Sequence, residues 1–235
     1  MQSAFIKRRC IQDNFLYVRN LARTYHRKQR PALLLKLDIT KAFDSVSWEY
    51  LIEMLDKRGF PPCWRNWITL LLSTSTSAVR LNGIPGPWIK HKKGLRQGDP
   101  LSPYLFILAI DTLQYIFHLA TEEEELTRLS ERSARMRLSL YADDAILFVN
   151  PIKEDVELTM SILQHFGDAT GLRINVNKST VAPIRCSSLD LDSILHSFHG
   201  ERVSFPITYL GLPLTLGRLR MAHLQHVKDR AASKM

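Results

Sequence analysis

Apolar residues recur along the chain with two different spacings, and each spacing predicts one kind of element. Spacings of three and four residues predict helices, because they place apolar side chains on one face of a helix. The predicted helices cover residues 11–29, 45–58, 64–72, 104–120 and 154–170. Short continuous apolar runs predict buried strands. The predicted strands cover residues 33–38, 173–176, 180–184 and 208–214, with two more around a tight turn in residues 138–149.

Turn-forming residues separate these elements. Gly59 and Pro61 end the second predicted helix, and Gly171 ends the last one. The dipeptide Asn82-Gly83 predicts the turn of a hairpin within residues 78–92. Because helices and strands interleave irregularly, the predicted fold class is α+β.

The charge of the chain narrows the class of partner. It has 235 residues, with 32 Lys and Arg against 23 Asp and Glu, which gives a formal net charge of +9. This excess favours polyanionic partners, with nucleic acid first and an anionic membrane second. A basic protein without such a partner is an alternative of equal weight on charge alone.

The cysteines and the apolar runs exclude other classes. Cys10, Cys63 and Cys186 lie far apart, which predicts neither a disulfide framework nor a zinc site and favours a reducing compartment. The segment nearest to a membrane span is 101–120, and it contains polar residues such as Asp111. We therefore expect no membrane-spanning segment and no membrane partner.

Three carboxylates stand in unusual surroundings. Asp38 ends an apolar strand, and Asp143 and Asp144 interrupt the apolar stretch 138–149. Adjacent acids among buried strands are costly unless something neutralises them. Mg²⁺ prefers oxygen ligands, and two such ions about 4 Å apart can activate a hydroxyl and stabilise a leaving group.

These acids also have ordinary interpretations. Asp38 can be a turn or cap residue, and the pair Asp143-Asp144 can be the polar tip of a hairpin. The rival phosphate chemistry of a P-loop NTPase is excluded, because no GxxxxGK[ST] stretch is present. The residues alone therefore leave a metal site and a structural turn both open.

Six short segments combine these acids with glycine, proline and aromatic residues. In chain order they are 2–6 with 13–15, 35–46 (LKLDITKAFDSV), 94–103 (GLRQGDPLSP), 141–144 (YADD), 171–178 (GLRINVNK) and 209–214 (YLGLPL). The first resembles the last fingers motif, and the others resemble motifs A to E, of the reverse transcriptases of non-LTR (LINE-type) retrotransposons, particularly those of plants. The set covers nearly the whole chain in the right order.

The resemblance implies a role for particular residues. Two Mg²⁺ ions, which Mn²⁺ can replace, would be held by Asp38, Asp143, Asp144 and the Ile39 carbonyl. Phe43 would be the steric gate against a ribose 2′-hydroxyl, and Gln97 and Gly98 would line the nascent base pair. Lys178 would be the acid for pyrophosphate release, and the primer strand would contact Tyr209, Leu210 and Gly211. Three further residues are expected to be structural: Asp44 as a helix cap, Trp48 in packing and Asp99 in a loop.

The resemblance also implies an architecture. It predicts a right-hand polymerase palm, an antiparallel sheet with packed helices, together with partial fingers. The expected parts are partial fingers in 1–30, palm in 31–60, a fingers insertion in 61–93, palm again in 94–216 and a possible start of the thumb in 217–235.

Two functions of different classes follow. The first is an RNA-directed DNA polymerase that uses an RNA template, a DNA primer and dNTPs, inside the cell and with access to the nucleus. The second is a catalytically inactive retroelement fragment with residual nucleic-acid binding. The second is kept because the resemblance starts within the fingers and stops just after motif E, and because Arg8 follows Lys7 where the family usually has a glycine before an arginine.

Overall fold

A computed structural model describes residues 4–6, 8–131, 136–225 and 229 of the chain. The helices are α1 Ile11–Arg27, α2 Ala42–Ser45, α3 Trp48–Lys57, α4 Pro62–Ser73, α5 Ser102–Glu122, α6 Lys153–Thr170 and α7 Leu191–Ile194. The strands are β1 Ala32–Leu37, β2 Thr76–Ser77, β3 Arg80–Leu81, β4 Ile84–Pro85, β5 Ile89–Lys90, β6 Leu138–Tyr141, β7 Asp144–Val149, β8 Thr180–Ile184, β9 Glu201–Arg202, β10 Ile207–Tyr209 and β11 Leu212–Leu214. Short 3₁₀ turns cover Val176–Lys178 and Met221–Leu224.

Strand β1 lies at the centre of a five-stranded sheet with the order β6-β7-β1-β8-β9. It pairs antiparallel with β7, from Leu33 opposite Val149 to Leu37 opposite Ala145, and antiparallel with β8 on its other side. Strand β9 pairs in parallel with β8. A central strand covered on both faces is expected to be almost continuously apolar, and β1 is apolar apart from Lys36.

Two layers cover the sheet. Helices α3, α5 and α6 pack on the face where Leu33, Leu35 and Leu37 are buried. Helix α1 and the β10–β11 hairpin pack on the other face, against Leu34 and Ile146. This arrangement of helices on a mostly antiparallel sheet confirms the predicted α+β class.

Helix α5 corresponds to the apolar segment nearest to a membrane span. By length and composition alone it is long and apolar enough to cross a membrane, although it contains polar residues such as Asp111. The core helix of a soluble protein passes the same test, and α5 contributes Phe106, Ile110 and Leu113 to the core beneath the sheet.

The segment between α3 and Gly94 holds α4 and two small hairpins. The inner hairpin pairs β3 with β4 around Asn82 and Gly83, which have φ angles of 50° and 85°. These positive values fit a two-residue turn and confirm the turn predicted there. Strands β2 and β5 pair outside it.

The second predicted helix, over 45–58, is interrupted. Helix α2 ends at Ser45 and α3 begins at Trp48. Neighbouring segments bond the backbone between them: the Val46 carbonyl accepts from Gly94 N–H at 2.8 Å, and Ser47 N–H donates to the Thr170 carbonyl at 2.8 Å. Tertiary hydrogen bonds therefore replace the helical ones at this point.

Two strand predictions also change. Residues 173–176 form no strand, because their backbone bonds the turn after β1 and then enters a 3₁₀ turn. Residues 208–214 fold back on themselves as the β10–β11 hairpin, with Tyr209 opposite Leu212. Of the possible thumb start in 217–235, residues 226–228 and 230–235 lie outside the described part, as do residues 2 and 3 of the first motif.

Candidate active site

The ladder between β1 and β7 brings the three predicted carboxylates to one end of the sheet. Asp38 follows β1 directly, and Asp144 is the first residue of β7, one step beyond the Leu37–Ala145 pair. Asp143 lies in the two-residue turn between β6 and β7, where Ala142 has a φ of 51°. Acids about a hundred positions apart in the sequence are therefore neighbours in space.

The electrostatics of this end reflect that proximity. Burial raises the pKa of the Asp144 carboxyl, and the negative charge of Asp143 raises it further. The Lys36 ammonium lowers this pKa, and Asp38 raises it by a smaller amount. Asp143 is exposed, whereas Asp38 and Asp144 are half-buried. A cation at this end would relieve the repulsion.

The donor set suits a hard divalent ion with an incomplete protein shell. Among the described residues, no three His, Cys, Asp or Glu side chains converge into a finished metal-binding group. Mg²⁺ commonly takes one or two protein carboxylates and completes its shell with water and substrate phosphates. Asp38, Asp143 and Asp144 supply carboxylate oxygens, which are the donor type that Mg²⁺ prefers.

The backbone of Asp38 is held by the segment after α6. The Ser179 hydroxyl accepts from the Asp38 N–H at 3.1 Å and donates to the Asn175 carbonyl at 2.8 Å. The Asn175 N–H in turn donates to the Asp38 carbonyl at 2.7 Å. Ile39 forms a bridge with Ile174 in the same ladder. Exposed Lys178 directly precedes Ser179 and so lies close to this clamp.

Sequence reasoning missed Ser179. It is fully buried, although it is polar and stands between an exposed lysine and a strand. A buried hydroxyl is normally hydrogen-bonded, and this one bonds main-chain groups on two segments. A signal existed in the sequence, since a serine just before an apolar strand can cap or clamp a neighbouring loop, but it did not say which loop.

The loop at 94–98 packs against the turn after β1. Leu95 N–H donates to the Phe43 carbonyl at 2.7 Å, and Trp48 Nε1 donates to the Gly94 carbonyl at 2.7 Å. Gln97 Nε2 donates to Asp44 Oδ1 at 3.3 Å. The two segments therefore form one wall, which starts five residues after Asp38 in the sequence.

This contact settles two of the residues expected to be structural. Asp44 is not a helix cap: it lies inside α2, and its carboxylate faces Gln97. Trp48 does pack against the core, as expected, and also bonds the loop.

Phe43 lies in this wall. Its ring stacks on Phe106 with centroids 4.6 Å apart, and the side chain is half-buried. The stack fixes the ring while one side remains accessible.

Asp99, expected in a loop, accepts the Leu101 N–H at 2.8 Å just before α5.

The glycines at the site differ in the physical reason for which a residue without a Cβ suits each position. A Cβ on Gly94 would lie 2.6 Å from the Asp44 carbonyl oxygen, and one on Gly171 would lie 2.1 Å from that of Ser45. Both glycines permit close packing against α2. Gly98 has a φ of 86°, but a Cβ there would meet nothing within 4 Å. Gly98 therefore borders open space.

The β10–β11 hairpin approaches the carboxylates from the α1 side. Tyr209 is 0% exposed and its ring stacks on Phe15, with centroids 6.4 Å apart. The tip of the hairpin consists of Leu210 and Gly211, which have φ angles of 49° and 77°. Since the Tyr209 side chain is buried, a nucleic acid could reach this hairpin through the tip and not through the Tyr209 ring.

Burial raises the pKa of the Tyr209 hydroxyl to about 12. Ser139 and Asn14 are close enough to lower this pKa, although among the described residues the hydroxyl makes no hydrogen bond of standard geometry. Asp144 raises the pKa by its charge. The hydroxyl therefore stays protonated and lies beneath the carboxylate end of the sheet.

Asn14 is a second residue that sequence reasoning missed. It is buried on α1 and donates through Nδ2 to the Leu140 carbonyl at 2.7 Å and to Ser139 Oγ at 3.0 Å. Strand β6 is the edge of the sheet, so this amide satisfies a carbonyl that has no neighbouring strand. An amide on the inward face of an amphipathic helix was the available signal.

Comparison with known sequences gives a family match and several relatives. The profile of the family described as reverse transcriptase (RNA-dependent DNA polymerase) matches residues 1–214. "Transposon TX1 uncharacterized 149 kDa protein" of Xenopus laevis is 32% identical over 217 residues, which cover 91% of this chain and 16% of that protein. A Pol polyprotein from the type-1 retrotransposable element R2 of Nasonia vitripennis is 26% identical over 196 residues, 81% of this chain and 17% of that protein.

The match to a plant protein is shorter. An uncharacterized mitochondrial protein of Arabidopsis thaliana is 46% identical over 66 residues, 27% of this chain and 54% of that protein. The chain spans about a sixth of the length of the first two relatives.

Solved structures show the same fold. Telomerase from Candida tropicalis, in complex with a fragment of telomeric RNA, superposes with a TM-score of 0.58 at 16% identity, over 95% of this chain and 37% of that one. This likeness confirms the predicted polymerase palm. With the family match over 214 residues and the retrotransposon relatives, it establishes that the chain belongs to the reverse transcriptase family, with non-LTR retrotransposon proteins as its relatives.

Proposed function

We propose that the chain is the polymerase core of an RNA-directed DNA polymerase, which adds a dNTP to the 3′-hydroxyl of a DNA primer on an RNA template. The observation that carries this proposal is that the β6–β7–β1 ladder places Asp38, Asp143 and Asp144 at one end of the sheet. Family membership supplies the reaction class. In phosphoryl transfer, positioning and charge neutralisation provide most of the catalysis.

The family implies a divalent metal, and the carboxylate end fits it. We assign two Mg²⁺ ions, replaceable by Mn²⁺, to Asp38, Asp143, Asp144 and the Ile39 carbonyl. When bound, such ions favour loss of the hydroxyl proton and neutralise charge on the leaving pyrophosphate. The chain's own contribution is to fix the Asp38 main chain through Ser179 and Asn175.

The wall formed by Phe43 and the loop at 94–98 would hold the incoming nucleotide. The stack on Phe106 fixes the Phe43 ring, so that a ribose 2′-hydroxyl would collide with it and a deoxyribose would not. Open space beside Gly98 would allow a base pair to approach the main chain. Gln97, tied to Asp44, would border the same base pair.

Proton transfer and primer contact are assigned to exposed residues. Lys178 would donate a proton to the pyrophosphate, as an exposed ammonium beside the Asp38 clamp. Leu210 and Gly211 would contact the primer strand at the tip of the β10–β11 hairpin. Tyr209 would support that tip from the core, which narrows the role expected for it from sequence.

The architecture and location are assigned on the same basis. We place the palm in 31–60 and 94–216, with partial fingers in 1–30, a fingers insertion in 61–93 and the start of a thumb in 217–235. A net charge of +9 supports binding of a nucleic-acid template. The polymerase would act inside the cell with access to the nucleus.

Primer extension on an RNA template tests the proposal. The wild type should extend a DNA primer with dNTPs in Mg²⁺ or Mn²⁺, and Asp143→Asn should lower the rate by about a hundredfold or more, because it removes a charge from the metal site. Glu123→Gln is the matched control, since Glu123 lies in the exposed acidic run after α5. A folded wild type that binds RNA without extending a primer would contradict polymerase activity and favour the inactive fragment.

A further inference from the structure

Lys36 is the one charged residue in the otherwise apolar strand β1. It precedes Asp38 by two positions, so alternation along the strand places the two side chains on the same face of the sheet. That face also carries α1 and the β10–β11 hairpin. Lys36 is half-buried, and its register partners are Ile146 and Thr180.

The ammonium of Lys36 bonds the hairpin and not a carboxylate. Its Nζ donates to the Thr208 carbonyl at 3.0 Å, across 172 positions of sequence. Among the described residues, no Asp or Glu forms an ion pair with it, although its charge lowers the pKa of Asp144. The carboxylates therefore remain available to a metal, and the lysine is hydrogen-bonded to the hairpin instead.

Thr208 is adjacent to Tyr209 and two residues before Leu210 at the tip. Burial of Tyr209 against Phe15 holds β10 onto α1, but stacking is tolerant of small sliding movements. The hydrogen bond from the charged Lys36 Nζ to the Thr208 carbonyl, at 3.0 Å, joins one atom of β10 to one atom of β1. The bond from Lys36 therefore fixes the position of the tip relative to the strand that ends in Asp38.

We propose that Lys36 is a positioning residue, which holds the β10–β11 hairpin so that its tip sets the primer terminus beside Asp38. This rests on the proposed function, because it takes the hairpin tip as the primer contact. The residue acts through the hairpin and does not itself touch the reacting atoms. It couples primer placement to the carboxylate strand.

The test compares two nucleic acids without metal. In EDTA, fluorescence anisotropy measures the affinity of each variant for a DNA-primed RNA template and for the same RNA unprimed. Lys36→Met keeps the apolar stem and loses the donor, so it should weaken primed binding about five- to tenfold and leave unprimed binding unchanged. Lys36→Arg, which keeps charge and donor, should restore most of the affinity.

Steady-state extension gives a second readout of the same effect. Lys36→Met should raise the KM for the primed template by about the same factor and leave the KM for dNTP within about twofold. Lys57→Met, at the exposed end of α3, is the control for loss of one positive charge.

Two outcomes would overturn the proposal. One is Lys36→Met binding both nucleic acids like the wild type. The other is equal loss of both affinities that Lys36→Arg does not restore, which would show a general structural role. The wild type could bind the primed template more tightly than Lys36→Met does and yet extend no primer. That result would contradict the polymerase activity and leave the role of Lys36 supported.

Discussion

The carboxylate end of the sheet and the small hairpins of residues 76–90 are held in different ways. At the carboxylate end, backbone groups of residues 43–47, in and just after α2, bond segments that are distant in sequence: Leu95 to Phe43, Gly94 to Val46 and Thr170 to Ser47. Ser179 adds a side-chain bond to Asp38. Each of these bonds restricts the same connection between β1 and α3, residues 38–47.

The hairpins show the opposite arrangement. Strands β2 to β5 have two residues each, and all of them are exposed. Bonds described there join near neighbours, such as Gly86 N–H to the Val79 carbonyl at 2.8 Å. Large apolar side chains face solvent, and Trp88 is 73% exposed.

The difference shows that the backbone is held more tightly at the carboxylate end than in the hairpins. A turn that must present carboxylates needs its backbone fixed from several sides, because loose placement weakens catalysis steeply. The hairpins need to keep only their own local shape. A substitution of one kind should therefore have unequal effects in the two regions.

Gly171→Ala should produce the largest effect. The φ of 81° is strained for alanine, and the new Cβ would lie 2.1 Å from the Ser45 carbonyl oxygen. We expect a loss of about 4 kcal/mol in the free energy of unfolding. Urea denaturation followed by circular dichroism measures it.

Gly83→Ala is the matched control in the hairpins. Its φ of 85° imposes the same backbone strain, but its Cβ would meet nothing within 4 Å. We expect a loss of about 1 kcal/mol. Equal losses at the two positions would contradict the contrast between the regions.

Asn14→Ala should have the next largest effect. It leaves the Leu140 carbonyl at the sheet edge without its amide donor, at a cost of about 2 kcal/mol in the free energy of unfolding. His91→Ala removes an exposed bond to Ser77 Oγ in the hairpins and should change stability by less than about 0.5 kcal/mol. If His91→Ala lowered the free energy of unfolding as much as Asn14→Ala, burial would not be the reason why the Asn14 bond stabilises the fold.

Some of this could be predicted from the sequence, because it depends on local periodicity. The apolar run of β1 and the two strands around Asp143-Asp144 are visible as patterns. Their adjacency depends on the β1–β7 ladder, which is a long-range choice. From the sequence alone, only the resemblance to a known family predicts that Asp38 lies next to the pair Asp143-Asp144.

Other features depend on contacts that no local pattern contains. The break at Val46 exists because the Gly94 N–H bonds the Val46 carbonyl and the Thr170 carbonyl bonds the Ser47 N–H. Residues 173–176 form no strand because they bond the residues just after β1. Ser179 carries no periodic signal that distinguishes a clamp from an ordinary serine. Prediction therefore fails where the tertiary partner decides the local conformation.

Asp144→Asn should change stability less than the substitutions above, and it should stabilise the folded protein where they destabilise it. Burial and the charge of Asp143 raise the pKa of Asp144, so the folded protein favours its protonated form. That preference is lost as the pH rises above the ordinary value for Asp and through the raised pKa. In EDTA the variant should therefore have the higher Tm at neutral pH and approach the wild type in acid.

Two comparisons check this assignment. Mg²⁺ should narrow the difference in Tm at neutral pH, because the ion stabilises the wild-type carboxylates and has less to bind in Asp144→Asn. Glu123→Gln, in the exposed acidic run, should show no such pH-dependent gain. A wild type more stable than Asp144→Asn in EDTA at neutral pH would show that Lys36 outweighs burial and repulsion.

Trp88→Ser should have the smallest effect on stability. With 73% of the residue exposed, little apolar area is lost from the folded state, and the free energy of unfolding should change by less than about 0.5 kcal/mol. Ile110→Ala in α5, where the side chain is fully buried, should cost about 3 kcal/mol in the same urea titration. A loss above about 1 kcal/mol for Trp88→Ser would mean that the hairpins share in the cooperative core, because an exposed ring can stabilise a fold only through packing that unfolding removes.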